Sequence, residues 1–569
     1  MKTLILFISF FFLTVSQAQD VGFVWANQLR GANWVQQDCN GIAVDNSGNV
    51  FVVGRITDSV DFDPSVNDYW IHSDTQFESP AYVAKYDPNG NFIWAKKLSS
   101  LDLCIARNIK IDNNNDLYIL GDFRDSVDFD PGTSEYWVEP INGIDAFLLK
   151  LDADGNFTWV KTWGGPSINY GYELTLDHLQ NIYIAGTFRD SIDIDPGPNL
   201  LKIGSNGEED VYIQKFDSNG DLIWFYQIGG NDEDRVFDLS TDNQQNLYIA
   251  GSFQDSVDFN LGMNDSVLYN LGSTSGYLLK LNSIGEFIWV RENGGPHFQE
   301  MVAVETCKNG EVCIVGSLYG SGQFISNNDT VVGPWCGNGT NQMLIKLDSN
   351  ANIIWSRIIG GVNSGVYDGE LSTDSLDNVY CASSVGEFAG FNMPNPVYIF
   401  SASGAVDLMV YKYTSDGFYS WSEHIGGTNA STWHEALDID PTGNLHITGR
   451  FNFTVDFDPT PGNFDLTQYG SSMDAFFLKL NQSSLMNFAR KDAKSEPILF
   501  PNPAKTELNI QFLEEETYPV IIYDLQGRII QLDYQNFNKI NVSNFDNGIY
   551  FLVIDRGNQR IVKRFIVQH

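Results

Sequence analysis

Between residues 22 and 481, apolar positions fall into short alternating runs separated by Gly, Asn and Asp. Asn246-Leu247-Tyr248-Ile249-Ala250-Gly251 and Asn156-Phe157-Thr158-Trp159-Val160 are typical. Alternation at a period of two, bounded by turn residues, predicts β-strands. Turns such as Asp217-Ser218-Asn219-Gly220 supply a Gly where a tight hairpin needs a positive φ.

The runs recur as one unit. Trp25, Trp94, Trp159, Trp224, Trp289, Trp355 and Trp421 each end a short apolar strand, spaced 65 to 69 residues apart. Lys85, Lys150, Lys215, Lys280, Lys346, Lys412 and Lys479 give a second, independent count of seven. One unit reads as four strands: Arg235–Ser240, Asn246–Gly251, a longer segment with an Asp-Ser-Val-Asp-Phe run leading to the lysine strand, and the tryptophan strand. Four antiparallel strands repeated seven times at this period predict an all-β fold, a seven-bladed β-propeller. Gly22–Asn27 is a tryptophan strand with no strands before it, and the unit ending at Asn481 lacks one after it. The N-terminal strand is therefore expected to complete the last blade, closing the ring without the capping repeats a linear solenoid needs.

The chain ends differ from this body. Lys2, the apolar run Leu4–Val15 and the small residues of Ser16-Gln17-Ala18 have the layout of a secretory signal. The expected division is a signal peptide over 1–18, the propeller over 19–481, a polar linker over 482–497 and a small domain over 498–569. That last segment alternates again, through Glu507–Ile510, Val520–Asp524 and Gly548–Val553, and predicts a small C-terminal β-sandwich. No later segment is apolar enough to be a transmembrane span.

Two family resemblances rest on these motifs. The units resemble the SBBP family of seven-bladed propeller repeats. The match lies in the Gly-Asn-Leu-Tyr-Ile-x-Gly-x-Phe, Val-Asp-Phe-Asp-Pro-Gly, Asp-Ala-Phe-x-x-Lys and Gly-Asn-Phe-x-Trp runs. Units five and six depart from it, with Ser321–Phe324 and Glu387–Gly390 in place of the acidic run. The segment 498–569 resembles the type A C-terminal sorting domain of the bacterial type IX secretion system. It shares the Pro501-Asn502-Pro503-Ala504 opening, the Tyr523–Arg528 turn, the Gly548–Phe551 strand and a basic last strand. That resemblance implies Sec export, handling by the type IX secretion machinery and a final place outside the cell, secreted or on the surface. It also implies O-glycosylation at Asp-Ser-Val sites such as Asp58-Ser59-Val60.

Charge narrows the partners. The formal net charge is −39, of which the C-terminal residues 496–569 carry only −2, nine acids against seven bases. A body that acidic repels phosphate backbones and anionic lipid, arguing against nucleic acid or a membrane surface. Six cysteines occur, none in a CxxC pair. Cys307 and Cys313 are placed to meet across a hairpin, as free buried thiols or, since export permits it, as a disulfide.

The acidic runs are the sharpest candidate for chemistry. Asp125, Asp128 and Asp130, and Asp190, Asp193 and Asp195, are oxygen ligands of the kind Ca2+ takes, although the spacing is not that of an EF-hand. The competing reading is hydrogen bonding that shapes the turn into the third strand. The lysines likewise either line a channel or pair with the Asp that ends the first strand: Asp45, Asp112, Asp177, Asp242, Asp374 and Asp440. The Gly-Gly pairs precede no helix and are not phosphate loops. No catalytic motif stands out and no cofactor other than calcium is implied. The expectation is a non-enzymatic surface propeller that binds or adheres to an extracellular glycan or protein ligand. An enzyme acting on polysaccharide, a lyase or hydrolase, and a structural surface-layer component are the alternatives. The irregular fifth and sixth units, with Trp335, Cys336 and the insert around Phe391 to Phe400, are the expected place for a ligand.

Overall fold

The computed structural model describes residues 21–569 apart from 32–37, 76–77, 261–264, 271, 328, 334–335, 338, 362–363, 392–397, 471, 483–497, 501–503, 512–519, 525–528, 534–538 and 556–559. The expected signal peptide, most of the linker, Trp335, and parts of the Pro501–Ala504 and Tyr523–Arg528 motifs lie outside the described residues. Every regular element among the described residues is a β-strand, and no helix there is long and apolar enough to cross a membrane.

Seven four-stranded units follow one another, and each is one antiparallel blade. The first strands are Asp38–Val44, Leu103–Ile111, Asn169–Leu176, Arg235–Thr241, Gln299–Thr306, Gly365–Thr373 and Thr432–Ile439. Blade one continues through Val50–Arg55, Ala81–Tyr86 and Phe92–Leu98 in that spatial order, and the other blades repeat it. In blade seven the fourth strand is Val21–Gly31, paired antiparallel with Asp474–Gln482 from the other end of the ring. Trp25 there stands opposite Lys479, the same register as Lys150 with Trp159 and Lys215 with Trp224. The expected closing strand is thus observed.

The core sits between blades. Leu148 and Tyr118 of blade two pack with Ile182, Ile184 and Tyr212 of blade three, and Phe477 and Trp25 of blade seven with Ile42 and Val50 of blade one. Third strands such as Asp145–Leu151 are buried along their whole length. A lone blade would leave both faces wet; stacking removes each Leu or Phe from water at a gain of about 1.5–3 kcal/mol.

Hairpins between the second and third strands clasp the blade before. Asp61 and Val60 pair with Arg30 and Gly31, Phe324 with Asn293 and Phe391 with Ile359. Gly285 shows why a turn glycine is needed. Its φ is +82°, and a Cβ there would lie 2.9 Å from the Trp224 ring of the preceding blade.

In the C-terminal segment, Ile498–Phe500, Glu507–Gln511 and Lys539–Asn541 form one sheet. Ile529–Asp533, Val520–Asp524, Gly548–Asp555 and Arg560–Val567 form another. Leu508, Ile510 and Ile540 of the first share a core with Ile522, Leu552 and Phe565 of the second.

Candidate functional site

The seven first strands line the central channel, and a shared irregularity decides what they show to it. In blades one to five and seven, one extra residue interrupts the pairing of the first strand with the second: Asn40, Arg107, Tyr172, Phe237, Val302 and Glu435. In blade six two residues, Asp368 and Gly369, are bypassed. A bulge re-aims the side chains around it, so polar residues on both sides of it turn inward.

Past the bulge, five carboxylates gather about one cation. Lys110 of blade two is felt electrostatically by Glu173, Asp238, Glu305, Glu370 and Asp438. Groups from six different blades meet only through the channel. Asn108 Nδ2 donates to Glu173 at 2.7 Å. The Val304 N–H donates to Asp238 at 2.7 Å and the Val44 N–H to Asp438 at 2.8 Å, so each bond ties one blade to the next. Burial, then the neighbouring acids, push Glu173 and Glu370 well above the usual carboxylate range. Burial pushes Glu305 up to about 7 and raises Asp238 and Asp438. Burial works to lower Lys110, but the carboxylates outweigh it and hold its ammonium above its ordinary value. Enclosure among like charges thus favours the protonated form of these acids.

At the bulge and before it, at the channel mouth where the first strands begin, aromatic rings take over. Tyr170 and Tyr172 lie 5.5 Å apart by ring centroids. The Arg107 guanidinium sits 5.4 and 5.1 Å from them, with the buried Asp122 as its ion-pair partner. Tyr367 and Trp433 lie 6.3 Å apart. Charged groups stand among them. Glu435 pairs with Arg450 at 3.1 Å. Burial, with Asp368 adding and Arg235 opposing, pushes Glu300 up to about 7. His434 shares a 2.9 Å hydrogen bond with Ser384 Oγ, and burial lowers its basicity so that the imidazole is neutral. Ser384 is 0% exposed, so that serine is not presented to a substrate. Aromatic faces with a few placed charges form the usual lining of a site for a polar organic ligand.

The acids singled out in the sequence lie elsewhere, in the clasping hairpins of blades two and three. Asp125 and Asp190 adopt left-handed backbone, φ +63° and +62°. Asp128 Oδ1 accepts from Asp130 N at 3.1 Å and Tyr136 N at 2.7 Å. Asp130 accepts from Gly132 N, Asp193 from Leu201 N and Asp195 from Gly197 N, each at 2.8 Å. The same bonds recur at Asp61, Asp258 and Asp456. Among the described residues, no three His, Cys, Asp or Glu are grouped to hold a metal ion.

The lysines do pair with the strand-ending acids in five blades: Lys150–Asp112, Lys215–Asp177 and Lys280–Asp242 at 3.9 Å, Lys412–Asp374 at 3.7 Å and Lys479–Asp440 at 3.2 Å. Lys85 instead donates to the Ala153 carbonyl, and Lys346 takes Glu311 at 2.7 Å. In the irregular fifth unit Cys336 is buried, its thiol bonded to the Gly320 and Gly339 carbonyls. In the sixth, Phe391 is buried against Tyr411. Ser59 of the first Asp-Ser-Val run is buried too. The channel groups went unpredicted. Their trace in the sequence is the acidic or polar residue two or four places before the strand-ending Asp, as in Glu173, Asp238, Glu370 and Asp438, with Glu305 two places before Cys307 in blade five.

Comparison with known proteins agrees with the repeat and the tail. A family described as β-propeller repeat matches residues 24–59, and one described as secretion system C-terminal sorting domain matches residues 498–568. Among curated proteins, an uncharacterised WD repeat-containing protein of Acanthamoeba polyphaga mimivirus is 20% identical over 53% of this chain and 26% of its own. The regulatory protein FlaEY of Caulobacter vibrioides is 24% identical over 26% of this chain and 15% of its own. The chain thus spans about a quarter or less of the curated relatives it matches. Among solved structures, PorZ, a surface component of the type IX secretion system of Porphyromonas gingivalis, aligns over 96% of this chain and all of its own at 9% identity and a TM-score of 0.16. Synechocystis apocarotenoid oxygenase aligns over 81% and 96% at 9% identity and 0.37. At such scores neither likeness assigns an activity. The chain thus carries a β-propeller repeat of the SBBP type at residues 24–59 and a type IX secretion sorting domain at 498–568, and that sorting domain directs it to the cell surface or the medium.

Proposed function

We propose that the chain displays a non-enzymatic binding propeller, residues 19–481, whose ligand is an extracellular glycan held at the channel mouth. The linker is 482–497 and the sorting domain 498–569. The observation that carries this reading is the set of rings at one end of the channel, Tyr170, Tyr172, Tyr367 and Trp433, with Arg107 and Asp368 among them. Aromatic faces pack on the apolar faces of sugar rings while charged groups take the hydroxyls. The test is a glycan array probed with the full chain and with a Tyr367→Ala/Trp433→Ala variant. Binding is expected to drop about tenfold or more, as loss of an aromatic anchor costs about 2 kcal/mol. Binding that is equal for both, or absent for both, overturns the reading; absence for both fits a structural role in the surface layer.

A polysaccharide hydrolase is the second reading, and one observation favours it. Glu300, raised to about 7, stands beside the exposed Asp368, and two carboxylates in unlike environments are what glycoside cleavage requires. Release of reducing ends that is lost in Glu300→Gln distinguishes it from binding alone.

A further inference from the structure

In five blades, six residues after the Asp that ends the first strand stands a side chain that touches it. Tyr118 Oη donates to Asp112, Tyr183 to Asp177, Tyr248 to Asp242 and Tyr380 to Asp374, at 3.4, 3.2, 3.4 and 2.8 Å. His446 meets Asp440 at 3.3 Å, and in blade one the pair is Asp45 and Phe51. Blade five alone has neither member. Its two positions are Cys307 and Cys313, both buried, with sulfurs 3.8 Å apart. Two positions in contact elsewhere in the repeat have changed together, and to the one residue type that joins covalently.

We propose that Cys307 and Cys313 form a disulfide in the exported protein, a covalent replacement for the Asp–Tyr contact of four other blades. The oxidant is a disulfide-bearing thiol oxidase protein met after Sec export. One thiol, as thiolate, attacks the partner's disulfide; the second displaces the partner from the mixed disulfide. The Cys307–Cys313 bond forms, the partner's bond breaks, and the partner leaves as a dithiol with the electron pair and both protons. Rotation of the two side chains brings the sulfurs to the bonded separation of about 2.0 Å. Burial raises the Cys313 thiol well above its ordinary range, so oxidation belongs to the period before blade five packs, and reduction of the finished fold is slow. The remaining cysteines stay thiols: Cys39, Cys104, Cys336 and Cys381 are each buried, and none has another cysteine as hydrogen-bond partner among the described residues.

The test uses the full chain exported into an oxidising periplasm, then denatured without reductant and alkylated. Four of the six cysteines are expected to take the label, and all six after reduction. Tryptic peptides 292–308 and 309–346 are expected as one linked species, lighter than their sum by two hydrogen atoms. The link must survive Cys336→Ala and vanish in Cys313→Ala. Six labelled cysteines before reduction, or a link that survives Cys313→Ala, overturns the proposal. A Cys307→Asp/Cys313→Tyr variant restores the pair used elsewhere in the ring and does not depend on the single variants folding. It is expected to melt at a temperature indifferent to reductant, whereas the parent melts lower once reduced after unfolding. A parent that also ignores reductant overturns the proposal.

Discussion

Lys215 and Trp224 share an acceptor: the ammonium at 3.0 Å and the indole N–H at 3.2 Å both donate to the Ser283 carbonyl in the turn of the following blade. Lys280 and Trp289 do the same to Ser349, and Lys346 and Trp355 to Ser415. The two residues that count the repeat are cross-strand partners in one joint between blades. The joint explains why both recur, since each blade must grip the next.

Removing either donor should loosen that joint. Lys215→Met leaves the enclosed Asp177 without its cation and the Ser283 carbonyl short of a donor; a loss of about 2–4 kcal/mol is expected. Trp224→Phe keeps most of the ring contact and should cost about 1 kcal/mol. Because each donor alone still serves the one acceptor and only their joint loss leaves it unpaired, the double variant should lose more than the two single losses summed. Urea unfolding followed by fluorescence of the remaining tryptophans measures all three.

A second joint carries a pH dependence. At the seam of blades two and three, Asn169 bonds to Asp145. One repeat on, the same positions are Asp234 and Asp210, both 0% exposed. Burial, with Asp210 adding, pushes Asp234 up to about 8 from 3.8. The folded chain thus holds a proton that the unfolded chain gives up. Stability falls as pH climbs from about 4 to about 8 and is not lowered further above that. Asp234→Asn should leave the melting temperature unchanged at pH 4 and raise it at pH 9, by about 1–3 kcal/mol of stability. Melts at pH 4, 7 and 9 check this; an equal effect at all three would mean that Asp234 is not the group responsible.

The repeat was readable because it rests on residues with one task each. Trp25 through Trp421 and Lys85 through Lys479 mark strands whose alternation is regular, and the orphan strand at Val21–Gly31 pointed to its place beside Asp474–Gln482. The channel was not readable, because the first strand is irregular. Alternation assigns Glu173 and Arg107 to faces by counting in twos, and the bulge residues Tyr172 and Arg107 break the count within each strand. Lys346 shows the same limit in another form. With Cys307 where the repeat has Asp, the lysine found Glu311, four places on, where blade two has the Asp116 that also pairs with Lys150. The acidic runs are conspicuous in sequence for a different reason. Five hairpins need similar turn chemistry, and the backbone N–H groups of those turns take the Asp oxygens.

Those hairpins yield a prediction about calcium. Asp128→Ala removes the acceptor for the Asp130 and Tyr136 N–H groups, at an expected cost of about 1–2 kcal/mol. The cost should be the same with millimolar Ca2+ or with a chelator present, because the oxygen is engaged by the backbone. A melting temperature of the parent chain that rises with Ca2+, and fails to rise in Asp128→Ala, would instead support ligation by the acidic run.

Closure places the heaviest demand on one strand. Val21–Gly31 supplies Trp25 against Lys479, its indole donates to the Pro88 carbonyl at 3.2 Å, and Asn27 Nδ2 reaches the Gly90 carbonyl at 2.8 Å. The strand thus ties blade seven to blade one as other fourth strands tie their neighbours. Without it, Asp474–Gln482 is an uncovered edge with fully buried residues such as Phe476 and Leu478 behind it, and an open edge recruits other chains. Deleting residues 21–31 from the exported chain should therefore cause aggregation or a large fall in melting temperature. A peptide of that sequence added during refolding should restore a monomeric species by size-exclusion chromatography, whereas a peptide with Trp25→Ala and Asn27→Ala should do so poorly. A truncated chain that melts and elutes like the parent would show that the ring does not depend on this strand for closure.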